Sequence, residues 1–150
     1  MTIYDELRAV LNALDRDGID YALVGGLAVA VWGAPRATKD IDLLIQPVDL
    51  DRAMQALRTC GFTLSALPFE FKDGTTMQRV RKVDASGELM TVDLMMVDRN
   101  LATAWASRQR LPFGQEQMVV VSRDALIAMK ALAARPQDLA DIQNLQDGDR

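Results

Sequence analysis

The sequence contains no histidine, a single cysteine and no long apolar run, and each of these scarcities excludes a class of protein or site. Without histidine there is no Ser-His-Asp or Cys-His catalysis and no histidine-ligated zinc, so carboxylates must handle any protons and metals. Because Cys60 is alone, neither an intrachain disulfide nor a cysteine-based zinc site can form. No apolar stretch approaches membrane-spanning length, so we expect a cytoplasmic protein with no membrane partner.

Length and charge set the size of the fold and limit its partners. At 150 residues, of which 49% are hydrophobic, the chain is long enough for one compact core and too short for two full domains. We therefore expect a single domain over residues 1–150. The formal net charge of −4 argues against nonspecific coating of nucleic acid, so a polynucleotide partner would need a localised basic patch.

Hydrophobic periodicity predicts helices and strands that alternate at first and then give way to hairpins. Predicted helices cover residues 3–16, 27–32, 47–59, 101–108, 123–134 and 138–145, and predicted strands cover 21–24, 40–45, 68–72, 76–83, 88–97 and 117–121. The pair Asp73-Gly74 is a hairpin signal, and residues 111–114 are predicted to form a turn. The sequence thus predicts an α/β (α+β) fold in which a mixed β-sheet packs with helices.

Residues 21–45 carry the candidate site. Asp40 and Asp42 are two residues apart on a predicted strand, so both carboxylates leave the same face and repel each other. A divalent cation offsets such repulsion, and oxygen donors alone suit a hard ion such as Mg²⁺. Gly25 and Gly26 end the preceding strand, let the backbone approach a ligand and place amides at a helix start that suit a phosphate. These residues indicate two sides of one metal-triphosphate site, although a tight turn alone would also explain the glycines.

Asp93 is a further acidic candidate because it lies inside the apolar predicted strand at residues 88–97. Burying a carboxylate without a partner is costly, so a polar group or a metal should meet it. Asp98 is the rival acid in the same segment, but its place at the strand end beside Arg99 is better explained as a helix cap.

The acidic pair belongs to a longer ordered motif. A strand ending in Gly-Gly, a short helix and then RATKDIDL at residues 36–43 resemble the nucleotidyltransferases of the polymerase-β-like superfamily. With LIAMK at residues 126–130 and RPQDLADI at residues 135–142, the set resembles the AbiEii-like branch of abortive-infection toxins. The resemblance covers most of the chain, and the ordered set is far more specific than Asp-x-Asp alone.

The resemblance implies a nucleotidyltransferase fold and a metal-dependent enzyme that moves an NMP from an NTP to an acceptor hydroxyl. It implies that Asp93 is the third carboxylate, and that Asp40, Asp42 and Asp93 are both catalytic and metal-binding. They would hold two Mg²⁺ ions, with Mn²⁺ as an alternative. The expected nucleotide-binding residues are Gly25, Gly26, Arg36, Thr38 and Lys130.

The resemblance leaves the partners less defined. The acceptor would be an RNA such as tRNA, a protein or a small molecule, held in a groove completed by a second copy of the chain or by a partner protein. A role in a toxin-antitoxin system follows from the resemblance only. A catalytically silent nucleotide-binding or regulatory module of the same fold is the alternative function, and a metal-dependent nuclease is a third.

Several side chains have more than one interpretation at this stage. The three aspartates could be ordinary surface acids, and Arg36 and Thr38 could be solvated loop residues. Lys130, on an otherwise apolar helix, either extends to water or reaches an anion such as the triphosphate. Arg135, Asp138 and Asp141 either fix the last helix through salt bridges or act directly. Arg79, Arg81 and Lys82 either form the wet face of the sheet, the favoured interpretation, or face an acidic acceptor.

Overall fold

The computed structural model describes residues 2–33, 38–133 and 135–147. Within these ranges the helices are α1 (Ile3–Arg16), α2 (Gly25–Val31), α3 (Leu50–Thr59), α4 (Ala102–Ala106), α5 (Arg123–Ala133) and α6 (Pro136–Asp147). The strands are β1 (Tyr21–Val24), β2 (Asp40–Ile45), β3 (Leu64–Ser65), β4 (Phe69–Glu70), β5 (Thr76–Val83), β6 (Leu89–Met96), β7 (Gln109–Phe113) and β8 (Glu116–Val120). The predicted mixed α/β fold is therefore confirmed.

The first helix shows how local sequence sets an element and its face. Thr2 and Asp5 form a capping box in which each side chain accepts a hydrogen bond from the other's backbone amide, at 3.2 Å and 2.8 Å, and this satisfies orphan donors at the helix start. Gly18 follows the helix with a φ of +69°, a conformation that glycine adopts without strain. The buried stripe of α1 consists of Glu6, Leu7, Val10, Leu11, Ala13 and Leu14.

One mixed sheet runs through the chain in the order β3-β5-β6-β2-β1-β8-β7, and β4 also pairs with β5. Strand β2 lies between β1, which is antiparallel to it, and β6, which is parallel to it. The central strands β1 and β2 are almost wholly buried, as expected for strands covered on both faces. The order places β2 and β6 side by side at the centre, although more than forty residues separate them along the chain.

Helices cover both faces of this sheet. On one face, the ammonium of Lys82 on β5 donates to Glu6 of α1 at 2.6 Å and to the carbonyl of Cys60 at 2.9 Å, and α1 packs against α3. Because neighbouring residues of a strand point to opposite faces, Arg79 and Arg81 point to the other face. That face is shared with α2, which packs against β1, β2 and α5. In the ranges that the structure describes, no helix combines the length and apolarity needed to cross a membrane.

Two sequence predictions of local structure require correction. Residues 111–114 were predicted as a turn, but β7 runs through Pro112, which pairs with Gln117 of β8. A proline is tolerated there because β7 is the outermost strand of the sheet and needs no donor on its free side. Helix α2 begins at Gly25, so the two glycines form its first turn rather than a separate turn before it.

Candidate functional site

Three charged side chains form a row across neighbouring strands. Asp42 on β2 is in register with Asp93 on β6, and Asp93 is in register with Arg79 on β5. Asp40 begins β2 two residues before Asp42, so its side chain leaves the same face, opposite Thr91. The structure thus brings the three predicted carboxylates to one face of the central strands, as expected if β6 lies beside β2.

The three carboxylates, those of Asp40, Asp42 and Asp93, differ in their exposure to water. Asp93 is only 5% exposed, Asp42 is half-buried and Asp40 is exposed. Burial raises the pKa of Asp42 to about 7, and the negative charges of Asp93 and Asp40 add to the rise, while Lys130 and Arg79 act against it. Burial is the main cause of this rise and the neighbouring carboxylates add to it, so a cation bound beside Asp42 would favour its ionised form.

Gly25 is packed directly against the Asp42 carboxylate. Its φ is +71°, and a Cβ at this position would lie 2.1 Å from Oδ2 of Asp42. Only glycine satisfies both the backbone conformation and the close approach. Gly26 is buried in the same first turn of α2, which has no side-chain cap. The expected contact of these amides with a phosphate remains a prediction, and the structure places them at the edge of the acidic group where it would occur.

Arg79 is a site residue that the sequence interpretation missed. Its Nε donates to Oδ1 of Asp93 at 2.7 Å and its Nη2 donates to Oδ2 at 2.9 Å, which makes a bidentate ion pair. The hydrogen bond to Asp93 raises the pKa of Arg79, and the charges of Asp40 and Asp42 act in the same direction. The wet-face interpretation was wrong for this arginine, and also for Lys82, whose side chain is 15% exposed and bonded to Glu6. The signal that could have found it is its alternation with Arg81 on a hairpin strand paired with the strand of Asp93.

Lys130 meets an anion, but one supplied by the protein. Its Nζ lies 3.4 Å from Oδ1 of Asp138 and 3.2 Å from Oδ2 of Asp141, and both aspartates are fully buried. Nε of Arg135 also donates to Oδ2 of Asp138 at 2.7 Å. Although burial acts to raise the pKa of Asp138, hydrogen bonds from Arg135 and the charge of Lys130 hold it below its usual value. These contacts confirm the interpretation that the group fixes the last helix, and a triphosphate contact of Lys130 remains a prediction.

The remaining predicted residues have smaller structural roles. The hydroxyl of Thr38 accepts a hydrogen bond from the backbone amide of Asp40 at 3.3 Å, which fixes the start of β2. Arg36 lies outside the described residues. Oδ1 of Asp98 accepts from the amides of Asn100 and Leu101, at 2.9 Å and 3.2 Å, and so caps the turn that leads into α4. Asp98 is therefore engaged away from the acidic group, as expected for the rival of Asp93.

A divalent cation fits this group by its chemistry. Among residues 2–33, 38–133 and 135–147, no three acidic or sulfur side chains form a ready-made metal cluster. The carboxylate of Asp93 is bonded to Arg79. Even so, Asp42 and Asp93 are register neighbours and all donors are carboxylate oxygens. The negative charges of Asp93 and Asp40 also contribute, after burial, to the raised pKa of Asp42. These properties suit a hard ion such as Mg²⁺.

Comparison with known proteins gives one family and one fold. A family model described as "Nucleotidyl transferase AbiEii toxin, Type IV TA system" matches residues 8–149. The sequence matches none of the curated proteins with which it was compared. The lincosamide antibiotic adenylyltransferase LnuA, in a lincomycin-bound crystal structure, has a TM-score of 0.61 at 14% identity, covering 95% of this chain and 95% of that chain.

Two other solved structures agree with that fold. ANT(2'')-Ia in complex with adenylyl-2''-tobramycin has a TM-score of 0.65 at 15% identity, covering 97% of this chain and 88% of that chain. TM1012 from Thermotoga maritima has a TM-score of 0.66 at 14% identity, covering 94% of this chain and 90% of that chain. At identities this low, the likeness shows the shared fold alone.

Proposed function

Because the chain belongs to the AbiEii nucleotidyl transferase toxin family, we propose that it moves a nucleoside monophosphate from an NTP to an acceptor hydroxyl and releases pyrophosphate. The observation that carries this proposal is the register of Asp42 with Asp93, beside the first turn of α2. Carboxylates from separate strands leave the same face of the sheet there, and Gly25 brings no side chain against the carboxylate of Asp42. An ordinary surface acid would need neither the neighbour nor the glycine.

Each residue of the group has a role in the proposed reaction. Asp40, Asp42 and Asp93 would hold two Mg²⁺ ions, which neutralise the triphosphate and lower the pKa of the attacking hydroxyl when bound. Asp93, the most buried of the three, would accept the proton of the acceptor hydroxyl. The amides of Gly25 and Gly26 would bind the triphosphate at the start of α2. Arg36, Thr38 and Lys130 are proposed to orient phosphates.

The acceptor is proposed by class only. Of the proteins that share the fold, one is named a lincosamide antibiotic adenylyltransferase and another is in complex with adenylyl-2''-tobramycin. The first test should therefore include ATP and a hydroxylated small molecule. The toxin family adds RNA, such as tRNA, and protein to the acceptors to be tested. A second copy of the chain or a partner protein would complete the acceptor groove.

The direct test is transfer of a radioactive α-phosphate. The protein is incubated with Mg²⁺ and each α-labelled NTP, together with tRNA, total cell protein or an aminoglycoside, and labelled products are separated. We expect a labelled acceptor with the wild type, loss of that product in Asp42→Asn and Asp93→Asn, and full activity in Asp51→Asn. Asp51 is an exposed aspartate of α3, so it controls for the loss of one carboxylate.

One observation favours a second candidate function. Both oxygens of Asp93 are engaged by Arg79, which would suit a silent module that keeps the fold and nucleotide affinity without turnover. In that case the protein would bind NTP in a metal-dependent way and label no acceptor. A parallel incubation of RNA with Mg²⁺ and no NTP tests the nuclease alternative, which would give cleaved RNA.

A further inference from the structure

The bidentate ion pair between Arg79 and Asp93 has a position that the proposed reaction does not explain. Strand β6 lies between β5 and β2, so Arg79 approaches Asp93 from the side away from Asp42. Asp93 is buried and Arg79 is partly open to water, with side-chain exposures of 8% and 36%. The guanidinium of Arg79 is thus the protein's own positive charge beside the acidic residues, and it pairs with the buried carboxylate of Asp93.

This arrangement matters most when no metal is bound. Without Arg79, the buried carboxylate of Asp93 would face Asp42 with no cation bonded to it, and burial makes such an unpaired charge costly. With Arg79 in place, each oxygen of the Asp93 carboxylate accepts a hydrogen bond from the guanidinium. The positive charge of Arg79 also repels a divalent cation that approaches the same carboxylate. The same contact that steadies the metal-free protein should therefore weaken the binding of a cation.

We propose that Arg79 is a positioning residue that holds the Asp93 carboxylate on the side away from Asp42 in the metal-free protein and competes with the divalent cation for that carboxylate. The inference rests on the metal site of the proposed function. Its consequence is that the site binds a free cation more weakly than its carboxylates alone would. A cation that arrives with the negative charge of a triphosphate would overcome this competition more easily than a free one.

Binding of Mn²⁺ to the nucleotide-free protein tests the inference, by electron paramagnetic resonance of free Mn²⁺ or by calorimetry. We expect Arg79→Gln to bind Mn²⁺ about tenfold more tightly than the wild type, the scale of one lost charge-assisted hydrogen bond. Arg81→Gln is the matched control, because Arg81 is on the same strand and face and makes no carboxylate contact among the described residues. Arg81 pairs with Thr91, the neighbour of Asp40, so it controls for the loss of a nearby positive charge without the loss of a bond. It should change the affinity by less than about threefold.

The outcomes separate the inference from the proposed function. Unchanged or weaker Mn²⁺ binding in Arg79→Gln would overturn the inference, and so would an equal gain in Arg81→Gln, since the ion pair itself would then be irrelevant. If the wild type transfers nucleotides while Arg79→Gln binds Mn²⁺ no more tightly, only the inference fails. If no variant binds Mn²⁺ at all, the metal site and the inference fail together.

Thermal unfolding of the variants shows whether a change in Mn²⁺ binding comes from unfolding of the protein. We expect the thermal midpoint of metal-free Arg79→Gln to be below that of the wild type, and Mn²⁺ to raise it by more than it raises the wild-type midpoint. If Arg79→Gln does not fold without metal, Arg79→Lys takes its place, since it keeps the charge and loses the fork geometry. That variant should bind Mn²⁺ about threefold more tightly than the wild type. An affinity equal to or below the wild type would overturn the inference.

Discussion

Replacing Asp42 by asparagine should stabilise the metal-free protein at alkaline pH. The pKa of Asp42 is raised from its ordinary 3.8 to about 7, so the folded protein holds this proton more tightly than the unfolded chain does. Between these two values the folded state binds more protons, and stability therefore falls as the pH rises from about 4 to about 7. Above pH 7 the carboxylate of Asp42 is ionised, and its burial and its negative neighbours then destabilise the folded state to the full extent. A neutral asparagine avoids this destabilisation.

The size of the effect follows from the shift. A rise of about 3 units at roughly 1.4 kcal/mol per unit corresponds to about 4 kcal/mol, an upper limit because Asp42 is only half-buried. We expect Asp42→Asn to unfold at higher urea concentration than the wild type at pH 8 with EDTA present, and at an equal concentration at pH 4. Comparing the two proteins at each pH cancels the titration of groups that do not interact with Asp42, and Asp51→Asn should match the wild type throughout. Equal or lower stability of Asp42→Asn at pH 8 would refute the reasoning.

Two further substitutions test contacts of the site, each against a matched control. Gly25→Ala places a Cβ against the Asp42 carboxylate, so we expect the free energy of unfolding to fall by more than about 3 kcal/mol and Mn²⁺ binding to be lost. The control Gly33→Ala is also at positive φ but in open space, so its free energy of unfolding should fall by only about 1 kcal/mol. Lys130→Met removes the ammonium that contacts two buried aspartates of α6, so the free energy of unfolding in urea should fall by about 3–5 kcal/mol. The control Lys39→Met removes an exposed ion pair, so its free energy of unfolding should fall by less than about 1 kcal/mol. A Gly33→Ala loss as large as that of Gly25→Ala, or an unchanged Lys130→Met, would contradict these accounts.

The sequence was sufficient for most of the fold because its elements carry strong local signals. Strands β1, β2 and β5 and helix α1 have the predicted bounds, since alternation, capping residues and glycine turns mark their ends. The turn predicted at Pro112 failed because a proline is read locally as a breaker, while its tolerance on an edge strand depends on where that strand sits in the sheet.

The positions of the acidic residues on neighbouring strands were predictable, and the partners of those residues were not. Asp40, Asp42 and Asp93 stand out because carboxylates on apolar strands are unusual and need an explanation. Arg79 does not stand out, because an arginine on an alternating strand has the pattern of a solvent-facing residue. Its contact with Asp93 depends on the cross-strand register of β5 and β6, which is a property of the folded sheet. The aspartate partners of Lys130 depend similarly on the packing of α6 against α5.

The most direct test of the central claim is a crystal structure of the protein with Mg²⁺ and a nonhydrolysable NTP. We expect electron density for a cation bonded to carboxylate oxygens of both Asp42 and Asp93, with the triphosphate against Gly25 and Gly26. A nucleotide bound elsewhere, or a triphosphate at α2 with no cation on either aspartate, would contradict the claim.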